Sequence, residues 1–358
     1  MSTLKCEGQS FTYQWIRDQF DVTSAEISPY TRQTLDFCQR WLHGDETFTI
    51  QTSGSTGKPK PITLRRQQMV ASARLTGQAV GLSAGDRSLV CLNTAYIAGI
   101  MMLVRGFELG LKLTIIEPCS HPLAGIRPNQ VDFIALVPLQ VQTALGVSAE
   151  KAALNTMKAI LIGGAPVSPL LVDDLQTISA PTFHTYGMTE TVSHVALRRL
   201  NGSGASEFFV CQPTIKLWLD ERGCLAICGP VTNGETIVTN DRVAFQPDGS
   251  FRWLGRIDNV INSGGVKVQA EKVERVLERL LPNTRLFVTG LPDLMLGEQV
   301  TAFIEGPPLP TGFHDALRAS DALTKYERPR HIHFLPHFAE TPTGKVDRMT
   351  TIQQVVIT

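Results

Sequence analysis

A charge imbalance is missing from this chain of 358 residues. Lys plus Arg number 33, Asp plus Glu number 33, and the formal net charge is zero. No overall electrostatic pull toward nucleic acid or an anionic membrane surface follows, and neither is expected as a partner. Long hydrophobic runs are missing too. The longest, residues 95–104, ends at Arg105, and a membrane span needs about 18 apolar residues or more. The N-terminus has no apolar core behind a basic start, which argues against a secretory signal. Paired cysteines are scarce. The 7 cysteines are odd in number and scattered. Cys224 and Cys228 are the one close pair, with no second pair at metal-ligand spacing. Reduced thiols in a cytoplasmic protein are therefore expected. His331, His333 and His337 cluster without a Cys or carboxylate set, and read as an ordinary strand rather than a metal site. Chain-wide disorder is excluded by 43% hydrophobic and 18% charged residues, since disorder needs low hydrophobicity and high net charge.

What is present is an alternation of strand and helix signals without internal repeats. Strands are expected over 89–92, 113–116, 131–137 and 159–162, with helical content over 101–109. Ser168 is placed to cap a helix over 170–175. Strand, turn and helix in repetition predict an α/β fold with a mostly parallel sheet covered on both faces. After about Gly202 the strands become short and turn-separated, predicting a β-rich subdomain. From near Asp258 a third regime begins. It has helices over 270–281 and 313–323 and strands over 286–289, 300–304 and 331–335, the content of a small α+β domain. The boundary is expected at residues 256–259, giving a large domain over 1–257 and a small one over 258–358.

Five segments carry candidate chemistry. Thr52-Ser53-Gly54-Ser55-Thr56-Gly57-Lys58-Pro59-Lys60 follows an alternating strand pattern over 48–51. Its glycines free the backbone, and its hydroxyls and amides can form one concavity for a polyphosphate, neutralised by Lys58 or Lys60. It is not a Walker loop, because Gly54 and Gly57 are only two residues apart and proline follows Lys58. In His184-Thr185-Tyr186-Gly187-Met188-Thr189-Glu190-Thr191, Tyr186 offers a flat face for a base and Gly187 permits close approach. Glu190 is a lone acid, able to meet phosphate oxygens through a magnesium ion. Taken alone, the same stretch also reads as a polar helix start capped by Thr189. Asp241 can accept two ribose hydroxyls, and Arg256 can brace it or a phosphate. Asn262-Ser263-Gly264-Gly265-Val266-Lys267 is a tight hairpin turn. Pro342-Thr343-Gly344-Lys345-Val346-Asp347-Arg348 is a loop presenting a lysine.

In this order, the five segments resemble the adenylate-forming superfamily of acyl- and aryl-CoA ligases, luciferases and peptide-synthetase adenylation domains. The resemblance runs from about residue 48 to the end and includes Leu291-Pro292-Asp293 with Gly297-Glu298. It implies a phosphate loop at Thr52, Ser53, Gly54, Ser55, Thr56, Gly57 and Lys58, and an adenine site at Gly163, Gly164, Ala165, Tyr186 and Gly187. It further implies that Thr189 contacts phosphate, Glu190 holds Mg2+, and Asp241 and Arg256 hold ribose. Asp258 would be the hinge of a mobile small domain, and Gly265 would line the thiol tunnel. Lys345 would serve the adenylation step. The implied reaction consumes ATP and an acid to give an acyl-adenylate, and then coenzyme A to give a thioester.

The phosphate loop lies much nearer the start than is usual in this superfamily. Pro61 and Asn240 stand where glycine is usual, and Tyr96 stands where many relatives carry a histidine gating the acid pocket. The short form and the run from Gly187 to Arg198 look most like the 2-succinylbenzoate–CoA ligases of menaquinone biosynthesis. The substrate would then carry an aromatic ring and two carboxylates. Ser193, His194, Arg105 and Arg198 are candidate partners of the carboxylate that does not react, and spacing does not choose among them. His194 also reads as a structural histidine. Other readings are a ligase for another aryl or fatty acid, an adenylation enzyme loading a carrier protein, and a non-catalytic nucleotide-binding scaffold. A homo-oligomer remains open.

Overall fold

A computed structural model describes residues 2–23, 27–51, 60–282, 284–309, 311–341 and 346–356. Its framework is a nine-stranded sheet. Six of its strands run parallel, in the order Thr182–Gly187, Ala159–Ile162, Phe133–Leu136, Arg87–Val90, Lys112–Ile115 and Thr3–Cys6. Antiparallel strands extend it at both ends. His194–Arg199 and Val210–Cys211 lie beyond Thr182–Gly187, and Gln9–Thr12 lies beyond Thr3–Cys6. The central strands are short and apolar because both their faces are buried. Along Ala159–Ile162, Ala159 and Leu161 enter one core while Ile160 and Ile162 enter the other.

The chain adds Lys112–Ile115 on one side of Arg87–Val90 and then Phe133–Leu136 on the other. A parallel sheet built this way opens a crevice at the carboxyl ends of its strands, where the winding direction changes. Residues 91–96, 137–139, 163–165 and 188–193 all leave the sheet at that edge.

The helix Ile97–Leu109 is buried on all sides from Gly99 to Gly106, as expected of a helix with apolar residues around its whole circumference. It packs on the helix Arg66–Val80. The helix Pro29–His43 begins with Ser28, whose hydroxyl accepts from Thr31 N, and ends at Gly44 in the left-handed conformation, a standard pair of helix signals. The strands Thr47–Gln51 and Pro61–Arg65 form a separate antiparallel pair.

The β-rich part is a four-stranded antiparallel sheet of Lys216–Leu219, Cys224–Cys228, Ile237–Phe245 and Phe251–Arg256. Ile237–Phe245 runs for nine residues, longer than the short strands expected of this part, so Asp241 sits inside a strand. The C-terminal part is a small α+β unit. Its five-stranded sheet, Val260–Ser263, Val266–Gln269, Leu286–Asp293, Gly297–Glu305 and His331–Leu335, packs with the helix Ala270–Leu280. All seven cysteines are free. Among the described residues no group of three or more His, Cys, Asp or Glu is placed to hold a metal, and no helix is long and apolar enough to cross a membrane.

Gly99 shows where packing overrides helix propensity. A Cβ there would lie 2.4 Å from Asn93 O and 2.6 Å from Leu92 O. Propensity alone makes Gly99→Ala more stable by about 1 kcal/mol. The backbone contact reverses the sign, and the variant should be less stable by roughly 1–3 kcal/mol. Denaturant unfolding checks this, and a stabilised variant would contradict the close approach.

Candidate functional site

The site is organised by the turn that joins Thr182–Gly187 to His194–Arg199. Gly187 pairs with His194 at its base, and a Cβ on Gly187 would lie 2.2 Å from Ser193 O. The close approach expected at Gly187 is therefore to its own turn. Inside the turn, Thr191 Oγ1 accepts from Met188 N at 3.0 Å and donates to Ser193 O at 2.8 Å. Val192 has φ 66 and ψ −54, and Ser193 N bonds Thr191 O at 2.7 Å. This is a γ-turn of the rare strained hand, centred on a β-branched residue. Such strain persists only where neighbours over-determine it, and Val192 is fully buried. Thr189–Thr191 forms a single 3-10 turn rather than the start of a helix.

On one side of the turn lies Tyr186. Its ring meets Phe251 edge-on with centroids 5.4 Å apart. Its hydroxyl donates to Asp241 Oδ2 at 2.6 Å. Burial, and then the Asp241 charge, push this hydroxyl above its ordinary pKa and keep it a donor. Trp253 Nε1 donates to Asp241 Oδ1 at 3.2 Å. A carboxylate has about four acceptor sites, so Asp241 retains capacity for a vicinal diol. Trp253 was not singled out in the sequence; its cue is its position two residues before Gly255.

The Gly163-Gly164-Ala165 run lies against the same strand. A Cβ on Gly163 would lie 2.3 Å from Thr185 Oγ1, and that hydroxyl donates to Ile162 O at 3.1 Å. Gly164 has φ +81. Arg256 is the register partner of Asp241. Its guanidinium bonds Asp258, with Nε at 2.8 Å and Nη2 at 2.6 Å. Gly264 and Gly265 have φ of 59 and 80, the pattern of a tight two-residue hairpin turn.

Glu190 is exposed and Thr189 half-buried. The strand Pro61–Arg65, which follows the expected phosphate loop, packs against the Thr189–Thr191 turn. Thr52, Ser53, Gly54, Ser55, Thr56, Gly57, Lys58 and Lys345 lie outside the described residues. A magnesium ion takes one or two carboxylates and fills its remaining positions with phosphate oxygens and water. A single exposed glutamate fits that requirement.

On the other side of the turn is a buried cation. Arg105, 2% exposed, donates from Nη2 to Ser193 Oγ at 2.8 Å and from Nε to Thr76 Oγ1 at 3.2 Å. Its Nη1 lies 3.6 Å from Met102 Sδ. Among the described residues no carboxylate forms an ion pair with it, and burial pushes its pKa down to about 10. Thr76 Oγ1 donates to Ser72 O at 2.9 Å and lies 3.3 Å from His194 Nε2. The network thus puts the His194 proton on Nε2 and leaves Nδ1 facing Ser193 Oγ at 3.4 Å.

Arg198 stands elsewhere, with its guanidinium over Phe209 and its register partner His184 on the next strand. The structure therefore gathers Arg105, Ser193 and His194 and leaves Arg198 apart. Thr76 was missed because its helix carries no motif. Tyr96 precedes the helix of Arg105 as its N-cap residue.

Burial, then the Arg105 charge, push His194 well below its ordinary pKa. Burial, then Arg198, push His184 down to about 3. Both stay neutral in the fold, while the unfolded chain takes up a proton on each below about pH 6.5. Their contribution is present above that pH and is lost as pH falls toward 3, by up to about 1.4 kcal/mol per pH unit for each. Stability should therefore fall from pH 7 to 5, and His194→Gln should flatten part of the slope. Identical slopes for the variant and the parent would contradict a neutral His194.

Comparison with known proteins adds four findings. A family model described as AMP-binding enzyme matches residues 9–250. A 2-succinylbenzoate–CoA ligase of Enterococcus faecalis is 26% identical over 326 residues, covering 83% of this chain and 67% of the ligase. The crystal structure of an acyl-CoA synthetase (AMP-forming)/AMP-acid ligase II-like protein from Dyadobacter fermentans is 45% identical. That match covers 92% of this chain and 95% of the other, with a TM-score of 0.62. The O-succinylbenzoate coenzyme A synthetase of Bacillus subtilis, in complex with ATP and magnesium ion, is 21% identical with a TM-score of 0.71. It covers 85% of this chain and 69% of that one, and supports the fold.

Proposed function

Because the chain belongs to the AMP-binding enzyme family, we propose that it is an ATP-dependent acid–thiol ligase acting on an aromatic acid with two carboxylates. 2-Succinylbenzoate is the substrate that its relatives' names favour, which would place the enzyme in menaquinone biosynthesis. Seven free thiols suit a cytoplasmic setting. The observation that carries the substrate class is Arg105. A buried cation with only neutral partners is costly. A second carboxylate reaching the Ser193 side of the cluster would supply the missing charge.

The reaction has two halves. The acid's carboxylate attacks the α-phosphorus of ATP, a P–O bond forms, and pyrophosphate leaves. The sulfur of coenzyme A then attacks the acyl carbon and AMP leaves with the bonding pair. In the first half two anions must meet, so oriented donors and cations dominate the catalysis. Tyr186 and the Gly163-Gly164-Ala165 run would hold the adenine. Asp241 would take the ribose hydroxyls, with Trp253 holding its carboxylate in place. Thr189 would donate to phosphate. Glu190 would hold the magnesium ion, which screens phosphate charge when bound. Residues 52–58 would cradle the phosphates, and Lys345 would bridge the carboxylate and the α-phosphate. With the boundary at residues 256–259, Asp258 would be the pivot that carries Lys345 away before the thiol enters along Gly265. The Arg256–Asp258 pair would release or re-form as that pivot turns.

Pyrophosphate release over a panel of aromatic mono- and dicarboxylic acids, with and without coenzyme A, tests this reading. Dicarboxylic acids should be preferred. Arg105→Met should lower kcat/KM for them by about 10- to 100-fold, the worth of a charge-assisted hydrogen bond, and leave monoacids unchanged. Its Tm should not fall, because an unpaired buried charge is removed. Equal losses on both acid classes would contradict the assignment. Lys345→Ala should abolish pyrophosphate release yet still convert a supplied acyl-adenylate to the thioester, and equal loss of both halves would contradict its role.

A further inference from the structure

The buried cluster around Arg105 holds more hydrogen-bond donors than acceptors. A guanidinium carries five N–H groups. Nε reaches Thr76 Oγ1 at 3.2 Å and Nη2 reaches Ser193 Oγ at 2.8 Å. Nη1 meets Met102 Sδ at 3.6 Å, and a thioether is a weak acceptor. Five N–H groups thus face three acceptors among the described residues, one of them sulfur, so two N–H groups are left over. The hydroxyls do not make good the shortfall. Thr76 Oγ1 gives its own hydrogen to Ser72 O at 2.9 Å. Ser72 lies one helical turn before Thr76 on the same face, and its hydroxyl is buried without a partner among the described residues. Ser193 Oγ accepts from Arg105, and its hydrogen faces His194 Nδ1 at a long 3.4 Å.

Charge points the same way. His194 is neutral in the fold, so the cluster holds a single positive charge, and among the described residues no carboxylate pairs with it. An unpaired buried charge is costly, and a counter-charge with free acceptor capacity relieves it. One positive charge calls for one negative charge. A weakly hydrated monovalent ion gives up least water on entering a place walled by a thioether and hydrocarbon, whereas a divalent oxyanion demands more donors than the cluster has to spare. Thr76, Arg105 and His194 are buried and Ser193 is half-buried, so the opening lies on the Ser193 side, where the hydroxyl can donate to an arriving anion.

We infer that the Arg105–Ser193 cluster is a monovalent-anion site in its own right, which takes a halide-sized ion such as chloride on the Ser193 side when no acid is bound. The site stands on the donors and the charge of this cluster alone. Its consequence for the reaction rests on the reading in the preceding section: chloride and the second carboxylate of the acid then compete for one guanidinium, so the halide concentration regulates acid binding and leaves nucleotide binding alone.

Two readouts test it, with chloride as the probe and gluconate, a bulky and strongly hydrated anion, holding the ionic strength constant. The first is denaturant unfolding without substrate. Exchanging about 200 mM gluconate for chloride should raise the parent's folded-to-unfolded ratio by about tenfold, as a Kd of about 20 mM requires. Arg105→Met should lose that gain. An equal gain in parent and variant overturns the inference, and so does the lack of any gain in the parent. If the variant does not fold, crystals of the parent grown in bromide decide: an anomalous peak touching Arg105 Nη1 or Nη2 upholds the site, and no peak there overturns it. The second readout is pyrophosphate release. The same exchange should raise KM for a dicarboxylic acid by about tenfold and leave KM for ATP and for a monocarboxylic acid within about twofold. A stability gain that needs Arg105, with KM for the dicarboxylic acid unchanged, upholds the anion site and removes the second carboxylate from Arg105. If the parent releases no pyrophosphate with any acid, the preceding section's reading fails, and the stability result alone decides the anion site.

Discussion

Thr191 Oγ1 lies inside the turn between Thr182–Gly187 and His194–Arg199, bonded to Met188 N at 3.0 Å and Ser193 O at 2.8 Å. That hydroxyl, together with the missing side chain of Gly187, lets the backbone close on itself and hold Val192 at positive φ. The strain at Val192 fixes the directions in which the neighbouring groups leave the turn. Tyr186 leaves toward Asp241, Glu190 toward solvent, and Ser193 toward Arg105. Loss of the closure would free all three at once. The proposed nucleotide side and the proposed acid side are thus separated by one short piece of backbone.

The sheet explains why this turn has partners. Six parallel strands end their carboxyl termini at one edge, so loops distant in sequence meet there without long insertions. The helix Ile97–Leu109 can carry a cation into that region because its whole circumference is covered, which removes water as a competitor for Arg105. The same burial makes the guanidinium expensive unless something anionic arrives. In the proposed function, stability and specificity are coupled through this one residue.

Much of the fold was readable in the sequence, for a physical reason. Strands buried on both faces give short apolar runs closed by Gly or Pro, as at Ala159–Ile162 before Gly163. The Ser168 cap and the Gly264-Gly265 hairpin were likewise visible as local chemistry. The N-terminal hairpin was not, because strands of four residues lack a period long enough to register. The helix Pro29–His43 was missed although Ser28-Pro29 and Gly44 mark its ends. In the candidate site, Tyr186, Asp241 and Glu190 were visible by residue type and order. The choice among Arg105, His194 and Arg198 was not. It depends on which helix packs beside which strand, and Thr76 meets Arg105 across a helix–helix contact that no spacing encodes.

The central claim is that one turn separates a nucleotide from an acid bearing a second carboxylate. A crystal structure with a non-hydrolysable adenylate analogue of an aromatic dicarboxylic acid tests it most directly. The account predicts adenine against Tyr186, ribose hydroxyls on Asp241, and the free carboxylate within hydrogen-bond distance of Arg105 or Ser193. An analogue bound away from Tyr186 and Asp241, or one whose free carboxylate faces solvent while Arg105 keeps only its neutral partners, would contradict it.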